Sequence, residues 1–264
     1  MTKRLLDCLY RRLNRREFVH PDPLEFLYLY EDPAEREVVG LVASALAYGR
    51  VRQILASASN ALERMGPSPR RFVVESSEKE ISRRFRGFRH RFTSGEEMAR
   101  LLCGAGRLMK SHGSLGLAFA AGVGEGDDSV LPAMCSFVEG IAGEKGLKGL
   151  LPHPGDGSAC KRLNMYLRWM VRRDEVDPGG WEGVTPAMLI CPLDTHLFRL
   201  GRAMGFTKRK AADMKAALEI TKAFSRISPK DPVRYDFALT RLGIRDDTDM
   251  GAFLKSLAKA RPIR

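Results

Sequence analysis

Apolar side chains in this chain recur at three- and four-residue intervals along most of its length, and no stretch alternates convincingly with a period of two. A chain patterned in this way buries its core by packing helix against helix, so the expected fold class is all-α. Several helix starts are legible from local chemistry. Asp32-Pro33 reads as an N-cap followed by proline at the first helical position, opening a helix through about Leu46. Ser94-Gly-Glu-Glu97 has capping-box spacing and opens a helix to about Met109. Further helices are expected over about 51–63, 129–142, 158–173, 194–204, 208–225, 232–242 and 247–259. The segment 174–193 carries Pro178, Gly179, Gly180, Gly183, Pro186 and Pro192 and reads as a connection between lobes.

The 264 residues suffice for one large core or two lobes of ordinary size. Lys and Arg total 44 against 32 Asp and Glu, a formal charge of +12. That surplus attracts polyanions, nucleic acid first among them, because phosphate neutralisation releases counterions. The same charge would also keep a basic enzyme soluble, and composition does not choose between the two. The cysteines (Cys8, Cys103, Cys135, Cys160, Cys191) are scattered and never form CxxC, which fits reduced thiols in a cytoplasm rather than a disulfide framework or zinc ribbon. His20, His90, His112 and His153 have no ligand-like spacing, so no metal is expected. No run approaches a membrane span, and the basic N-terminal stretch lacks the apolar core of an export signal.

Two segments carry candidate chemistry. Over 155–173, Leu163, Tyr166, Leu167, Met170 and Val171 form one apolar stripe, with Lys161, Arg168 and Arg172 on the opposite one. Ser158 reads as the N-cap, which puts Lys161 in the first helical turn, where the positive end of the helix dipole disfavours a cation and favours a nucleophilic amine. A solvated basic face explains the same spacing. Over 192–205, Asp194 precedes Leu197, Leu200 and Met204 and reads as an N-cap whose carboxylate is held ionised by amide donors.

Pro192-Leu-Asp-Thr-His-Leu-Phe-Arg-Leu200 resembles the Val-Asp-Thr-His-Val-x-Arg-Val stretch that carries the catalytic Asp of helix-hairpin-helix DNA glycosylases, with Asp194, Thr195, His196 and Arg199 matching. Gly155-x-Gly157 followed by Lys161 resembles that family's hairpin and lyase Lys. Two departures stand out. The usual Gly-x-Gly-x-Lys is stretched by two residues, and the Lys-to-Asp separation is 33 positions (161 to 194). Both bring the chain nearer the archaeal 8-oxoguanine glycosylase branch, and overall it is similar to a bacterial family of unassigned function related to those enzymes. The resemblance spans about 150–205, and more weakly 33–66 and 208–244.

The resemblance implies a bilobal helical glycosylase-like fold with an atypical hairpin. One barrel-like lobe would span 33–178 with Lys161, and a second would comprise 1–32 plus 179–264 with Asp194. It implies base-excision repair with AP lyase activity, a double-stranded DNA partner bearing a damaged or abasic site, no cofactor, no membrane, a monomer, and a place in a bacterial cytoplasm at the nucleoid. Lys161 and Asp194 would be catalytic, acting on a nucleotide flipped from the duplex. Gly155, Gly157 and Ser158 would hold a backbone phosphate on their amides. Tyr48, Arg50, Arg162, Arg168 and His196 complete the expected nucleic-acid-binding set. With no Cys after Asp194, the four-cysteine iron–sulfur cluster of some relatives is excluded.

Elsewhere alternatives stand open. Gly49 occupies the place of the branch's base-reading Gln; Tyr48 stacking on a base and Arg50 on a phosphate compete with a plain helix end at Gly49. Arg83 to Phe92 interleaves Phe85, Phe88 and Phe92 with arginines, which suits base stacking and phosphate contact or, equally simply, a loop anchored to the core. Two rivals accompany the enzymatic reading: a non-catalytic DNA-binding protein on the same scaffold, and an RNA-binding protein.

Overall fold

The caps read at Asp32 and Ser94 do open helices. In a computed structural model, which describes residues 2–143, 146, 147, 149–244 and 248–259, the Asp32 carboxylate accepts from the Ala34 amide at 2.9 Å. Ser94 and Glu97 satisfy each other's backbone amides at 3.3 and 2.8 Å. The chain runs through α1 (Thr2–Leu13), α2 (Pro33–Ala45), α3 (Val51–Met65), α4 (Pro69–Glu75), α5 (Glu78–Arg84), β1 (Arg89–His90), β2 (Thr93–Ser94), α6 (Gly95–His112), α7 (Leu115–Ala120) and α8 (Leu131–Ala142). It continues through α9 (Lys161–Val171), α10 (Thr195–Ala203), α11 (Met214–Ile227), α12 (Asp236–Ile244) and α13 (Met250–Lys259). The fold is all-α apart from the antiparallel β1–β2 pair, whose two-residue strands are too short to register as a period-two pattern.

Several starts are later than the sequence suggests, among them those expected from 129 and 232, which fall at Leu131 and Asp236. The helix expected from 208 begins at Met214, because Asp213 caps the Ala216 amide at 2.8 Å and Arg209 clamps Asp213 with two bonds of 2.9 and 2.7 Å. The helix expected from 158 begins at Lys161. Residue 247, part of the last expected helix, and 245, 246 and 260–264, part of the expected second lobe, lie outside the described residues.

α9 is central. It packs along α2, where Gly40 lets the Tyr166 ring approach; a Cβ there would lie 3.1 Å from the ring. The buried Tyr166 hydroxyl donates to the Glu37 carbonyl at 2.9 Å. The Glu37 carboxylate accepts the Leu115 and Gly116 amides at 3.0 and 2.9 Å, satisfying the N-terminus of α7. On the far side α1 packs with α12, and α10 with α11 and α12. The segment Pro23–Leu29 lies on α2 and α3 instead, so residues 1–32 divide between the two groups. Among the described residues no helix is long and apolar enough to cross a membrane.

Candidate active site

The amine and the carboxylate singled out in the sequence meet. Lys161 Nζ lies 3.7 Å from Asp194 Oδ2, with the Lys side chain 39% and the Asp side chain 14% exposed. Each is placed by a helix start. Asp194 caps α10, its Oδ1 accepting the Leu197 amide at 2.8 Å, so Oδ2 alone is turned to the amine. The extended strand leading to it is tied to α11 by the Cys191 amide, which donates to Thr221 Oγ1 at 2.9 Å. Lys161 is the first residue of α9, directly after Cys160, which lies in the left-handed region at φ 45° and makes no side-chain cap. Ser158 is therefore not the N-cap: its hydroxyl accepts the Cys160 amide at 3.2 Å and closes the turn before the helix. Two helices thus begin at the pair, and the positive ends of their dipoles favour negative charge there.

Behind the pair lies a cleft of about 210 Å³, walled by Ile54, Met165, Trp169, Pro192 and Phe237 among others. It is smaller than the ~300–1,000 Å³ of common small-molecule pockets, so it admits one compact group. Trp169 Nε1 and Arg241 Nε are buried and make no hydrogen bond among the described residues, and both side chains line the cleft. Among the described residues no group of three or more His, Cys, Asp or Glu converges as a metal site.

The basic stripe needs correction. Lys161 reaches the cleft, but Arg168 and Arg172 are buried, at 5% and 3% exposure, and do not form a solvated face. Arg168 donates to Asp177 at 3.1 Å and to Asp236 at 2.5 Å. Arg172 donates to Asp231 at 3.0 Å, to Asp174 at 2.8 Å and to Asp177. Arg168 is therefore not a DNA-contacting residue; its guanidinium is consumed inside the protein.

Asp236 is the residue that sequence reasoning missed. It is buried, lines the cleft with Lys161 and Asp194, and among the described residues its carboxylate is paired with Arg168. In this network two guanidiniums, Arg168 and Arg172, meet four carboxylates, Asp174, Asp177, Asp231 and Asp236, so negative charge is in excess. Burial, opposed by Arg168 and reinforced by the Asp194 charge, pushes the Asp236 carboxyl up to about 6. The unfolded chain releases that proton near 3.9. Between these values the native state binds more protons, so stability falls as pH rises from about 4 to about 6. An Asp236→Asn protein lacks that slope. Urea unfolding across the window should show the wild type losing stability relative to the variant as pH rises, and parallel curves would contradict the assignment.

The remaining expected contacts fare unevenly. The Gly155 amide donates to His153 Nδ1 at 3.0 Å and the Gly157 amide to the Pro154 carbonyl at 3.1 Å, so both are used within their own turn rather than presented to a phosphate. Gly157 also pairs outward, its carbonyl accepting the Met214 amide at 3.1 Å. Arg162 donates to the carbonyls of Ala45 at 2.5 Å and Gly149 at 2.7 Å, closing the end of α2 onto this turn instead of facing DNA. Tyr48 is half-buried, its hydroxyl bonding the His90 carbonyl at 2.8 Å and Thr93 Oγ1 at 2.7 Å. Gly49 is not a cap of α2, which ends at Ala45; it is a turn residue at φ +102°, and a Cβ there would meet Arg91 at 2.7 Å. Arg50 is exposed at the start of α3, and His196 is exposed in the first turn of α10, near Gly243 of α12.

The model of a family described as a protein of unknown function (DUF2400) matches residues 22–245, and the chain belongs to that family. The matched span contains Lys161, Asp194, Asp236 and the whole cleft except Pro21. No curated protein and no solved structure matches.

Proposed function

We propose that this protein is a base-excision DNA glycosylase with AP lyase activity, acting on a damaged base in double-stranded DNA. The observation that carries the reading is the Lys161–Asp194 pair, 33 positions apart in sequence (161 to 194) and 3.7 Å apart in space, at the mouth of a cleft and on two helix starts. A nucleotide swung out of the duplex presents its sugar to the pair and its base to the cleft. Asp194, fixed by its capping bond, stabilises positive charge developing at C1′ as the base departs. Lys161, its ammonium proton taken up by the departing base, attacks C1′ as the C1′–N bond breaks; opening of the C1′–O4′ bond gives the imine, and loss of a C2′ proton then expels the 3′ phosphate. Asp236, whose proton is exchangeable near pH 6, supplies a second carboxyl in the same cleft.

Borohydride trapping on duplexes containing 8-oxoguanine, uracil or an abasic site tests the proposal. A covalent protein–DNA adduct is expected with at least one of them, and none with any would count against it. Asp194→Asn retains the helix cap, since Asn caps as well as Asp. Single-turnover base release should slow by about 100- to 1,000-fold, the usual cost of losing such charge stabilisation. DNA affinity by gel shift should be nearly unchanged.

A second reading, a non-catalytic DNA-binding protein on the same scaffold, is favoured by the internally satisfied amides of Gly155 and Gly157. Tight binding to damaged duplex with no trappable adduct would select it.

A further inference from the structure

The Arg83–Phe92 segment divides in a way its sequence does not settle. Phe85 and Phe88 are buried, at 0% and 4%, and stack edge to face at 5.7 Å, while Phe92 stands 82% exposed, the most exposed large apolar side chain among those described. It occupies the two-residue turn between β1 and β2. That turn is not a loose loop. His90 Nδ1 bonds Ser57 Oγ of α3 at 2.8 Å and His90 Nε2 the Tyr48 carbonyl at 3.0 Å, while the Tyr48 hydroxyl ties back to both strands. Arg91 is held in the left-handed region at φ 51°, a conformation that costs a non-glycine residue about 1 kcal/mol or more. Its guanidinium lies 5.6 Å from the Phe92 ring and 5.9 Å from the Tyr48 ring, in the space that Gly49 leaves by having no side chain.

The turn is linked to the cleft through Tyr48. Tyr48 carries Arg91 on one side and, at 4.9 Å, Arg162 on another, and Arg162 is the neighbour of Lys161. Ala47 and Val51, on either side of Tyr48–Arg50, line the cleft. The exposed charges of the segment that ends at Phe92 are arginines, Arg83, Arg84, Arg86, Arg89 and Arg91, and Glu96 is exposed just beyond it at the start of α6. An exposed aromatic ring on a rigid, cationic turn matches a base stack flanked by phosphates.

We propose that Phe92 is a wedge that inserts into the base stack of duplex DNA beside the nucleotide presented to Lys161 and Asp194, with the turn's arginines on the flanking phosphates. The inference rests on the DNA reading above. Wild type, Phe92→Ala and Phe92→Trp are titrated at fixed salt into a duplex carrying a non-cleavable tetrahydrofuran abasic analogue opposite 2-aminopurine. Wild type changes the 2-aminopurine emission; Phe92→Ala loses the change and binds about tenfold or more weakly; Phe92→Trp restores both, and the emission of its new indole is quenched. Because Phe92 is a surface residue, its loss leaves the thermal unfolding midpoint in place. If wild type binds this duplex but Phe92→Ala matches it in affinity and emission, the wedge is wrong and the DNA reading stands. If wild type does not bind the duplex at all, the DNA reading itself fails and the wedge falls with it.

Discussion

A Lys161→Ala protein is expected to yield no borohydride-trapped adduct and no strand cleavage at an abasic site under conditions where the wild type gives both. The loss should be complete rather than partial, because the imine needs a primary amine at this position and, among the described residues, no other lysine lines the cleft. The fold should be indifferent. Lys161 is 39% exposed and its ion pair with Asp194 is one that water reaches, so its contribution to stability is about 0–1 kcal/mol. Alanine is the best helix former and serves at the first position of α9, while Asp194 keeps its capping bond to Leu197. Unchanged unfolding with abolished trapping separates chemistry from structure. A variant that still traps DNA would move the nucleophile elsewhere.

Arg172→Met should be the most destabilising single change in the scaffold around the site. The guanidinium is 3% exposed and donates to Asp174, Asp177 and Asp231, so its removal leaves three carboxylates in or near the interior with too little compensation. Breaking one side of a buried ion network costs about 3–5 kcal/mol. For a chain of this size that lowers the unfolding midpoint by about 10 °C. The pH dependence supplies a sharper signature. Burial disfavours the Asp174 charge, but Arg172, two amide donors and the Tyr10 hydroxyl overcome it and bring the carboxyl down to about 2. Its contribution is present above the unfolded value near 3.9 and is lost as pH falls towards 2. The gap between wild type and variant should therefore narrow on acidification through that window. A gap that is small at pH 7, or that widens in acid, would contradict the network's role.

The contrast between these arginines and Lys161 marks what the sequence can and cannot convey. A helix start is written locally: Asp32 with Pro33, Ser94 with Glu97 and Asp194 before an apolar run each carry their own hydrogen-bond partner within three residues. The stripe of Lys161, Arg168 and Arg172 is also local, but its meaning is not. Whether a basic face meets water or buried carboxylates depends on Asp177, Asp231 and Asp236, two of which lie about sixty residues further on. Asp236 was invisible for the same reason, since an isolated Asp early in a short helix carries no signal until the fold brings it beside Asp194. The β1–β2 turn is a different case: strands of two residues have no period to read, and Phe85, Phe88 and Phe92 look alike until packing separates them.

The central claim is that Lys161 is the amine that becomes bonded to the sugar. Reducing the protein–DNA adduct with borohydride, digesting both components and locating the modified peptide by mass spectrometry tests it most directly. The nucleotide remnant should be found on the peptide containing Lys161. An adduct on any other amine, or none on a duplex that the protein demonstrably binds, would contradict it.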